Sequence, residues 1–269
     1  MKRMTIVFAL LSLGCTAYAE TVLVTGSNRG IGLELVTQYA MDGWDVIATS
    51  RSPHDDEDLN ALAESHDNVV VEQLDVTDME SIAALSAKYQ GRAIDVLINN
   101  AGLLGGRPGQ DWGNLDPHLF EQIMAVNVFG PLKVSEAFAN NVAASDQKKL
   151  IVISSTIGSI SRMQNPTPFP LLATSKAAVN MAMRTVAMQL KEQDVVVAML
   201  MPGIVRTRMM YQAGGMTLEE ASQQTNFDID RPGSISTTES ATRIRNVIAS
   251  LDGSETGIFL NNDGSRLEW

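Results

Sequence analysis

Three glycines follow the first apolar run after residue 20 with a spacing that suits phosphate binding. The run from Thr21 to Thr25 (TVLVT) predicts a short β-strand, and Gly26, Gly30 and Gly32 come directly after it, where a helical pattern begins. Gly26 permits a tight turn, Gly30 lets the backbone approach a pyrophosphate, and Gly32 lets the helix pack closely on the sheet. The helix N-terminus then presents free N–H groups and a partial positive charge. The spacing therefore predicts a dinucleotide site, and the alternative is a tight turn without a ligand.

Two arginines near this turn favour a dinucleotide that carries a 2′-phosphate. The other predicted cofactor-binding residues of the turn are Ser27, Asn28, Arg29 and Ile31. The second predicted strand runs into Arg51, with no carboxylate at its end to hold a ribose 2′-hydroxyl. Arg29 and Arg51 offer guanidinium groups to a 2′-phosphate, so we predict NADP rather than NAD. Considered singly, each arginine is more often a solvated surface charge, and the pair of them without an acidic residue reverses that balance.

The elements that position these residues alternate between strands and helices. Short β-branched runs predict strands over 21–25, 45–49, 68–73, 93–99, 149–154, 195–201 and 257–260. Helical spacing extends from the glycine turn through Met41 and recurs over 56–65, 78–89, 116–144, 171–191 and 237–250. Continuous apolar strands separated by helices indicate a parallel sheet covered on both faces. With right-handed crossovers this predicts an α/β fold, a doubly wound parallel sheet (Rossmann fold), as a single domain over residues 20–269.

Length and charge restrict the classes of function. The chain has 269 residues, of which 45% are hydrophobic, and this is enough to bury a sizeable core. Twenty Lys and Arg against 31 Asp and Glu give a net charge of −11, which disfavours nucleic acid or an anionic membrane as a partner. His54, His66 and His118 are scattered without ligand spacing, so no metal site is predicted.

Residues 1–19 have the layout of a secretory signal peptide. Lys2 and Arg3 precede an apolar run, and Ala17 and Ala19 are small residues placed for cleavage before Glu20. The apolar run is shorter than the ~20 residues of a membrane-spanning helix. We therefore expect an exported protein, periplasmic or secreted, with no membrane contact after signal removal. The alternatives are a buried first strand or a wrongly assigned start codon, and either would leave the protein cytoplasmic.

Six motifs, taken in order, resemble the short-chain dehydrogenase/reductase family. They are the glycine turn Thr25–Gly32, Asn99-Asn100-Ala101-Gly102, Asn127, Ser154-Ser155, Ser175-Lys176 and Pro202-Gly203. The resemblance covers essentially all of residues 20–269, and the segment from Gly257 to Trp269 is similar to that of C-factor-type carbonyl reductases. It implies NADP as cofactor, hydride transfer to a small-molecule carbonyl substrate, and assembly as a homodimer or homotetramer.

The resemblance also implies a role for each matching residue. Ser155 would hold the substrate carbonyl oxygen, Lys176 would bond the nicotinamide ribose, and Asn127 would hold a water of the proton relay. The other matching positions would contact the cofactor: Asp75 and Val76 at the adenine, Asn100, Ala101 and Gly102 after the fourth strand, and Pro202, Gly203 and Thr207 at the nicotinamide end. The ordinary alternatives are a turn cap for Asp75, a strand end for Ser155, a helix-backbone contact for Asn127 and a solvated charge for Lys176.

The family's proton donor is missing from its usual position. That donor is a tyrosine four residues before the lysine, where Lys⁺ lowers the pKa of the phenol, but Leu172 stands there in this chain. General acid–base catalysis contributes about 10²–10⁴-fold in rate, and leucine neither donates nor accepts a hydrogen bond. Tyr211, in the segment similar to the family's substrate lid, is a hypothetical substitute acid. The alternative for Tyr211 is a pocket wall.

Two functional hypotheses follow from these residues. The first is an NADP-dependent carbonyl reductase that uses Ser155 and Lys176, with water or Tyr211 as the proton source. The second is a non-catalytic NADP-binding or interaction protein, with a signalling role among the options, that retains the fold. The N-terminus has no twin-arginine pair, so export would proceed unfolded and without cofactor. We expect NADP(H) to be scarce outside the cytoplasm, and this favours the second hypothesis.

Overall fold

Seven parallel strands form the central sheet. The computed structural model describes residues 19–213 and 233–269. Its sheet strands are β1 (Thr21–Val24), β2 (Asp45–Ser50), β3 (Val69–Gln73), β4 (Val96–Asn99), β5 (Lys149–Ile153), β6 (Val196–Met201) and β7 (Ile258–Asn261). Their order is β7-β6-β5-β4-β1-β2-β3, with β1 hydrogen-bonded to β2 on one side and β4 on the other. The predicted doubly wound parallel sheet is confirmed, and its order reverses at β1 and β4, where such folds bind ligands.

Helices cover both faces of this sheet. They are α1 (Gly30–Met41), α2 (Glu57–Ser65), α3 (Met79–Lys88), α4 (Pro117–Met124), α5 (Gly130–Ala143), α6 (Pro170–Gln189), α7 (Arg208–Ala213) and α8 (Thr237–Ser250). Successive residues of β1 serve opposite faces: Val22 and Val24 pack in the apolar cluster with residues of α1 and α8, and Leu23 packs in the cluster with residues of α3, α5 and α6. Because both faces are covered, central strands such as β1 and β6 are apolar without interruption, whereas the edge strand β3 contains Glu72 and Gln73.

The predicted helix over 116–144 is divided by a π-helical turn. It consists of α4, a π turn over Ala125–Phe129, and α5. Asp116 begins the helix, since its side chain accepts a hydrogen bond from His118 N at 2.9 Å. The π turn contains Asn127, whose exposure is 1%. Such single turns occur frequently at functional sites, because the extra residue redirects one side chain.

Two short strand pairs and three 3₁₀ turns supplement the main sheet. Gln110–Asp111 pairs antiparallel with Asn114–Leu115, and Ile204–Val205 pairs parallel with Ser234–Ile235. The 3₁₀ turns cover Pro53–Asp55, Thr156–Gly158 and Lys191–Gln193. No helix within residues 19–213 and 233–269 combines the length and apolar character needed to cross a bilayer. The predicted signal peptide lies outside the described residues except for Ala19.

Candidate active site

The predicted site residues from several strands lie at one edge of the sheet. Thr25 Oγ1 accepts hydrogen bonds from Asn100 N and Ala101 N, each at 3.0 Å. Asn100 Nδ2 donates to Thr25 O at 3.0 Å and to Gly26 O at 2.9 Å. Ser154 N donates to Leu200 O at 2.8 Å, one strand further along this edge. The glycine turn and the segment after β4 are therefore joined at the switch point of the sheet.

Two glycines of the turn are required by close backbone contacts. Gly26 has a φ of +68°, and a Cβ atom there would lie 2.9 Å from Ala101 Cα. A Cβ on Gly32 would lie 2.2 Å from Gly26 O and 2.5 Å from Asn100 Nδ2. All three distances are well below van der Waals contact, so no residue larger than glycine fits at either position without backbone movement. Buried Ser27 reinforces the turn, because its hydroxyl donates to Val24 O at 2.8 Å.

The start of α1 faces Thr207, and the gap between them is where we expect a pyrophosphate. Gly30 has a φ of +59°, and a Cβ atom there would lie 3.6 Å from Thr207 Cγ2, an ordinary van der Waals distance. Arg29 is the N-cap residue of α1 and makes no capping hydrogen bond with its side chain, and the first turn of the helix has no acidic residue. The first N–H groups of α1 therefore remain free to donate hydrogen bonds to a ligand. Together with the glycine cradle, these donors fit the pyrophosphate of a dinucleotide.

Charged side chains surround the outer part of the turn. Desolvation, followed by the positive charges of Arg208 and Arg51, lowers the pKa of Arg29, and the negative charge of Asp56 opposes this shift. The Asp56 carboxylate accepts hydrogen bonds from Asn28 Nδ2, at 2.8 Å, and from the Ser50 hydroxyl. Mutual repulsion among guanidinium groups is relieved when an anion binds between them. The three guanidinium groups therefore favour a phosphate, and the Asp56 carboxylate beside them offsets part of their positive charge.

Asp56 and Arg208 were absent from the predicted site. Asp56 lies in an acidic run that reads as a helix start, and it does occupy the N-cap position of α2. Its carboxylate does not cap that helix but bonds Asn28 and Ser50. Arg208 directly follows the predicted cofactor residue Thr207, and this adjacency is the only sequence signal for it.

The positions predicted to hold the adenine are partly occupied by local structure. Asp75 Oδ1 accepts hydrogen bonds from Thr77 N at 2.9 Å and Thr77 Oγ1 at 2.7 Å, which is the turn-cap alternative. The other carboxylate oxygen has no hydrogen-bond partner in the described part of the chain, so it remains available to a ligand. Val76 is buried, and a Cβ on Gly130 would lie 3.0 Å from Val76 Cβ, so Val76 packs directly on the start of α5.

The predicted nicotinamide end is fixed by contacts from α8 and β7. Pro202 O accepts a hydrogen bond from Ser240 Oγ at 2.7 Å and from Asn262 Nδ2 at 3.2 Å. Gly203 has a φ of +96°, and a Cβ there would lie 2.7 Å from the same Asn262 amide nitrogen. The chain therefore turns at Gly203 in a conformation that favours glycine, and this brings Thr207 opposite Gly30.

Lys176 lies on α6 with its ammonium group directed at the end of β5. Its Nζ donates to Ile153 O at 2.8 Å, two residues before Ser155. Desolvation lowers the pKa of Lys176 from its ordinary value of 10.5 to about 8. That hydrogen bond uses one of three donors, so two N–H groups remain for ribose hydroxyls. Lys176 is therefore a partly buried cation and not a solvated surface charge.

Ser155 keeps its hydroxyl proton free. Its Oγ accepts a hydrogen bond from Ile157 N at 3.3 Å, and the hydroxyl makes no donor contact within residues 19–213 and 233–269. Neighbouring Ser154 is buried and donates to Asn180 Oδ1 at 2.6 Å, so it is committed to the core. Of the serine pair, Ser155 alone can donate to a substrate oxygen without breaking a bond.

Asn127 connects three parts of the site. Its Oδ1 accepts a hydrogen bond from Leu103 N at 2.7 Å, and its Nδ2 donates to Leu103 O at 2.9 Å and to Ser175 Oγ at 3.0 Å. The Ser175 hydroxyl donates in turn to Leu172 O at 2.8 Å. Both Asn127 donors are thus used within the protein. The π turn holds the segment after β4 against α6.

Leu172 occupies the first turn of α6, where Gln110 reaches it. Gln110 Oε1 accepts a hydrogen bond from Leu172 N at 3.2 Å. The Gln110 amide donates to Leu104 O at 2.8 Å and to Gly106 O at 2.6 Å. Sequence reasoning missed Gln110, because a glutamine between glycines in a loop has no periodic or motif signal. Its 1% exposure is the observation that identifies it.

The tyrosines of the described residues lie away from this edge. Tyr39 is buried under the Arg245 guanidinium, 4.5 Å from its ring centre, and packs edge-on against Trp44. Tyr89 is buried and donates to Glu72 Oε1 at 2.6 Å. Tyr39 lies in the last turn of α1, and Tyr89 directly follows α3. These helices run antiparallel to the strands, so both tyrosines lie at the edge of the sheet where the strands begin. The Tyr211 side chain lies outside the described structure.

Residues 19–213 and 233–269 bring together no group of three or more metal-ligating side chains of the His, Cys, Asp and Glu types.

Comparisons with known proteins agree with this geometry. The family described as short chain dehydrogenase matches residues 20–216. Short chain dehydrogenase gsfK from Penicillium aethiopicum is 32% identical over 257 residues, which cover 93% of this chain and 99% of that protein. The NADPH-bound carbonyl reductase from chicken fatty liver has a TM-score of 0.81 at 30% identity, over 93% of this chain and 99% of that one. A putative short-chain dehydrogenase/reductase from Burkholderia multivorans with bound NADP has a TM-score of 0.78 at 28% identity, over 94% and 100% of the two chains.

Proposed function

Because the chain belongs to the short-chain dehydrogenase family, we propose that it is an NADP-dependent reductase of small carbonyl compounds that works without the usual tyrosine. The observation that carries the proposal is the Lys176 ammonium on Ile153 O, two residues from Ser155, at the same sheet edge as the glycine turn. A cation and a free serine hydroxyl beside a dinucleotide cradle are the groups that bind and polarise a carbonyl oxygen, and the proton needs a separate source.

NADP as cofactor is supported by the residues around the turn. The uncapped N–H groups of α1 and the gap at Gly30 suit a pyrophosphate. Arg29 and Arg51 offer charge-assisted hydrogen bonds to a 2′-phosphate, which the NAD ribose lacks. The chicken carbonyl reductase contains NADPH and the Burkholderia protein contains NADP, at 30% and 28% identity to this chain. When bound, NADPH supplies the hydride for the carbonyl carbon.

The chain's own residues would orient the substrate and manage charge. Ser155 donates a hydrogen bond from its free hydroxyl to the carbonyl oxygen and stabilises the negative charge that develops there, while it keeps its proton. Lys176, whose pKa is lowered to about 8, stays protonated at pH 7 and adds a positive charge nearby. Since the Leu172 side chain has no proton to donate, a water molecule delivers a proton to the carbonyl oxygen. The rate of reduction is then about 10²–10⁴-fold lower than in a site that contains the tyrosine.

The second candidate function is a non-catalytic NADP-binding or interaction protein. Leu172 is the observation that favours it, because its side chain has no polar atom and its main-chain N–H is bonded to Gln110. This candidate needs the glycine turn and the arginines but no proton donor. The two candidates therefore share cofactor binding and differ in turnover.

A single set of assays separates these functions. NADPH consumption is measured on a panel of aldehydes and ketones for wild type, Leu172→Tyr and Leu172→Phe. We expect weak turnover by wild type, an increase of about 10²-fold in Leu172→Tyr and no increase in Leu172→Phe, which adds the ring without the hydroxyl. NADPH binding without turnover in wild type, together with turnover in Leu172→Tyr, supports the non-catalytic candidate. Failure to bind NADPH or NADH contradicts both.

We also propose that the protein is exported after cleavage before Glu20. The charged start, the apolar run and the small residues before Glu20 support this proposal. Strand β1 begins at Thr21, so removal of residues 1–19 leaves every strand of the sheet intact. N-terminal sequencing of the cell-derived protein is expected to start at Glu20, and an intact Met1 would refute export by this route.

Assembly as a homodimer or homotetramer, which the family resemblance implies, is proposed as well. Met181 and Met188 on α6 are 69% and 66% exposed, and Phe129, in the π turn before α5, is 52% exposed. Such side chains on neighbouring helices suit burial against a second copy of the chain. Light scattering of the purified protein is expected to give two or four chains per particle, and a monomer at micromolar concentration would contradict the proposal.

A further inference from the structure

The C-terminal segment Ser265–Trp269, called the C-terminal tail below, contacts the loop that follows Ser155. This loop, residues 156–162, contains the 3₁₀ turn Thr156–Gly158. Ser161 N donates to Trp269 O at 2.8 Å, and Ser159 Oγ donates to Glu268 O at 2.7 Å. Ser159 has an exposure of only 1%, so the donor side of this part-buried hydrogen bond is enclosed by the protein. The tail thus supplies two acceptors to the loop directly after Ser155.

The tail is itself fixed on the edge strand β7. Leu267 N donates to Phe259 O at 2.9 Å, and Asn261 N donates to Ser265 O at 2.8 Å. The Trp269 ring stacks on Phe259, with 5.5 Å between ring centres. The Arg184 guanidinium lies 5.4 Å from the Trp269 ring centre and also donates to Gly257 O at 2.8 Å. These contacts give the tail a defined position relative to β7 and α6.

On its other side the same loop lies against the helix that carries Lys176. A Cβ atom on Gly158 would lie 2.6 Å from the Lys176 carbonyl carbon and 2.8 Å from Ala177 N. Gly158 therefore touches the α6 backbone at Lys176 with no space to spare. The loop is held between α6 and the C-terminal tail.

From these contacts we infer that the C-terminal tail is a positioning element that sets the spacing between Ser155 and Lys176. It contacts neither group directly; it presses the residues after Ser155 onto α6 through Ser159, Ser161 and Gly158. This inference rests on the proposed function, because the spacing matters only when both groups serve one substrate. Loss of the tail releases the loop on one side, and Ser155 then loses its fixed distance from the lysine.

Four variants and two controls separate the contacts of the tail. Deletion of residues 268 and 269 removes both acceptors and the stacked ring, and Ser159→Ala removes one hydrogen bond alone. Trp269→Ala removes the ring but keeps the main-chain acceptors, and Trp269→Phe keeps an aromatic ring on Phe259 and is expected to restore wild-type behaviour. Trp112→Ala, at a 94% exposed tryptophan, controls for the loss of an indole, and Ser86→Ala controls for the loss of a helix-surface hydroxyl.

Hydrogen exchange provides a readout that does not need turnover. In the NADPH-bound protein, the deletion is expected to accelerate exchange of residues 153–162 by about tenfold or more, since it removes two hydrogen bonds that hold this loop. The dissociation constant for NADPH is expected to stay within about twofold, because the glycine turn lies elsewhere on the edge. Unchanged exchange over 153–162, or acceleration spread evenly over the whole chain, would overturn the inference.

Turnover supplies the second readout. It is measured in wild type, or in Leu172→Tyr when wild type does not turn over. We expect the deletion to lower kcat by about tenfold with the KM for NADPH unchanged, because the tail acts on spacing and not on cofactor binding. An unchanged kcat would also overturn the inference. When neither background turns over, the reductase proposal fails, and the exchange result alone decides the role of the tail.

Discussion

Gln110 Oε1 and Leu172 N are joined by a 3.2 Å hydrogen bond between the loop after β4 and the first turn of α6. The Gln110 amide also satisfies the carbonyls of Leu104 and Gly106. Helix α6 begins without a side-chain cap of its own, so Gln110 serves one of its free N–H groups from a distant loop. The loop after β4 is therefore tied to the helix that carries Lys176.

Replacement of Gln110 by alanine tests this connection. Gln110→Ala leaves the buried Leu104 carbonyl, the partly buried Gly106 carbonyl and the Leu172 N–H group without their partner, at a cost of about 1–3 kcal/mol for each group that water cannot reach. We expect the free energy of unfolding, measured by urea denaturation, to fall by about 2–3 kcal/mol. Gln122→Ala, at an exposed glutamine on α4, is the matched control and is expected to change it by less than about 0.5 kcal/mol. Equal effects of the two variants would rule out the connecting role.

The glycine turn makes a prediction that separates strain from ligand contact. Gly30 and Gly43 both have positive φ, +59° and +79°, but only Gly30 faces another element, Thr207. Alanine at either position costs about 1–2 kcal/mol of backbone strain. Gly30→Ala is also expected to weaken NADPH binding by about tenfold or more, because its methyl group enters the proposed pyrophosphate gap. Gly43→Ala should leave NADPH affinity unchanged in fluorescence titrations, and equal losses in both variants would count against the gap.

The arginine cluster predicts selective loss of NADPH. A charge-assisted hydrogen bond contributes about 1.5–3 kcal/mol, so Arg51→Gln and Arg29→Gln are each expected to weaken NADPH binding by about tenfold. NADH lacks the 2′-phosphate, and its affinity should hardly change. Arg243→Gln, at an arginine of α8 paired with Glu239, is the control for lost surface charge. Parallel losses for NADPH and NADH would show that these arginines do not bind the 2′-phosphate.

Lys176 predicts a pH dependence of stability with a defined sign. Burial lowers its pKa from 10.5 to about 8, so between these pH values the unfolded chain holds a proton that the folded chain has released. The free energy of unfolding therefore rises with pH in this window, by up to about 1.4 kcal/mol per pH unit. Urea denaturation of wild type and Lys176→Met at pH 7, 8, 9 and 10 isolates this group. The difference between them should favour wild type increasingly above pH 8, whereas a constant difference would refute the lowered pKa.

Much of the fold could be predicted from residue patterns, since the physics behind them is local. Each strand of a covered parallel sheet must be apolar along its length, and this property made β1 and β5 visible as short β-branched runs. The role of the glycine turn could also be predicted, because Gly26 and Gly32 make close backbone contacts that only glycine permits. Lys176 and Ser155 were found through family resemblance and lie at the expected edge.

The unpredicted features depend on contacts between distant segments. A hydrophobic pattern with spacing of three and four does not reveal one inserted residue, so the π turn at Asn127 read as continuous helix. Gln110 and Asp56 act through partners in other segments, and a single sequence does not encode such pairings in any period. The same holds for the C-terminal tail, whose contact with Ser159 and Ser161 joins residues more than a hundred positions apart.

The most direct measurement is a titration of the full-length protein with NADPH, followed by the change in nicotinamide fluorescence. We predict saturable binding of one NADPH per chain, displacement by NADP⁺, and weaker binding of NADH. Absence of saturable binding for both NADPH and NADH would contradict the dinucleotide site on which the proposed reductase depends.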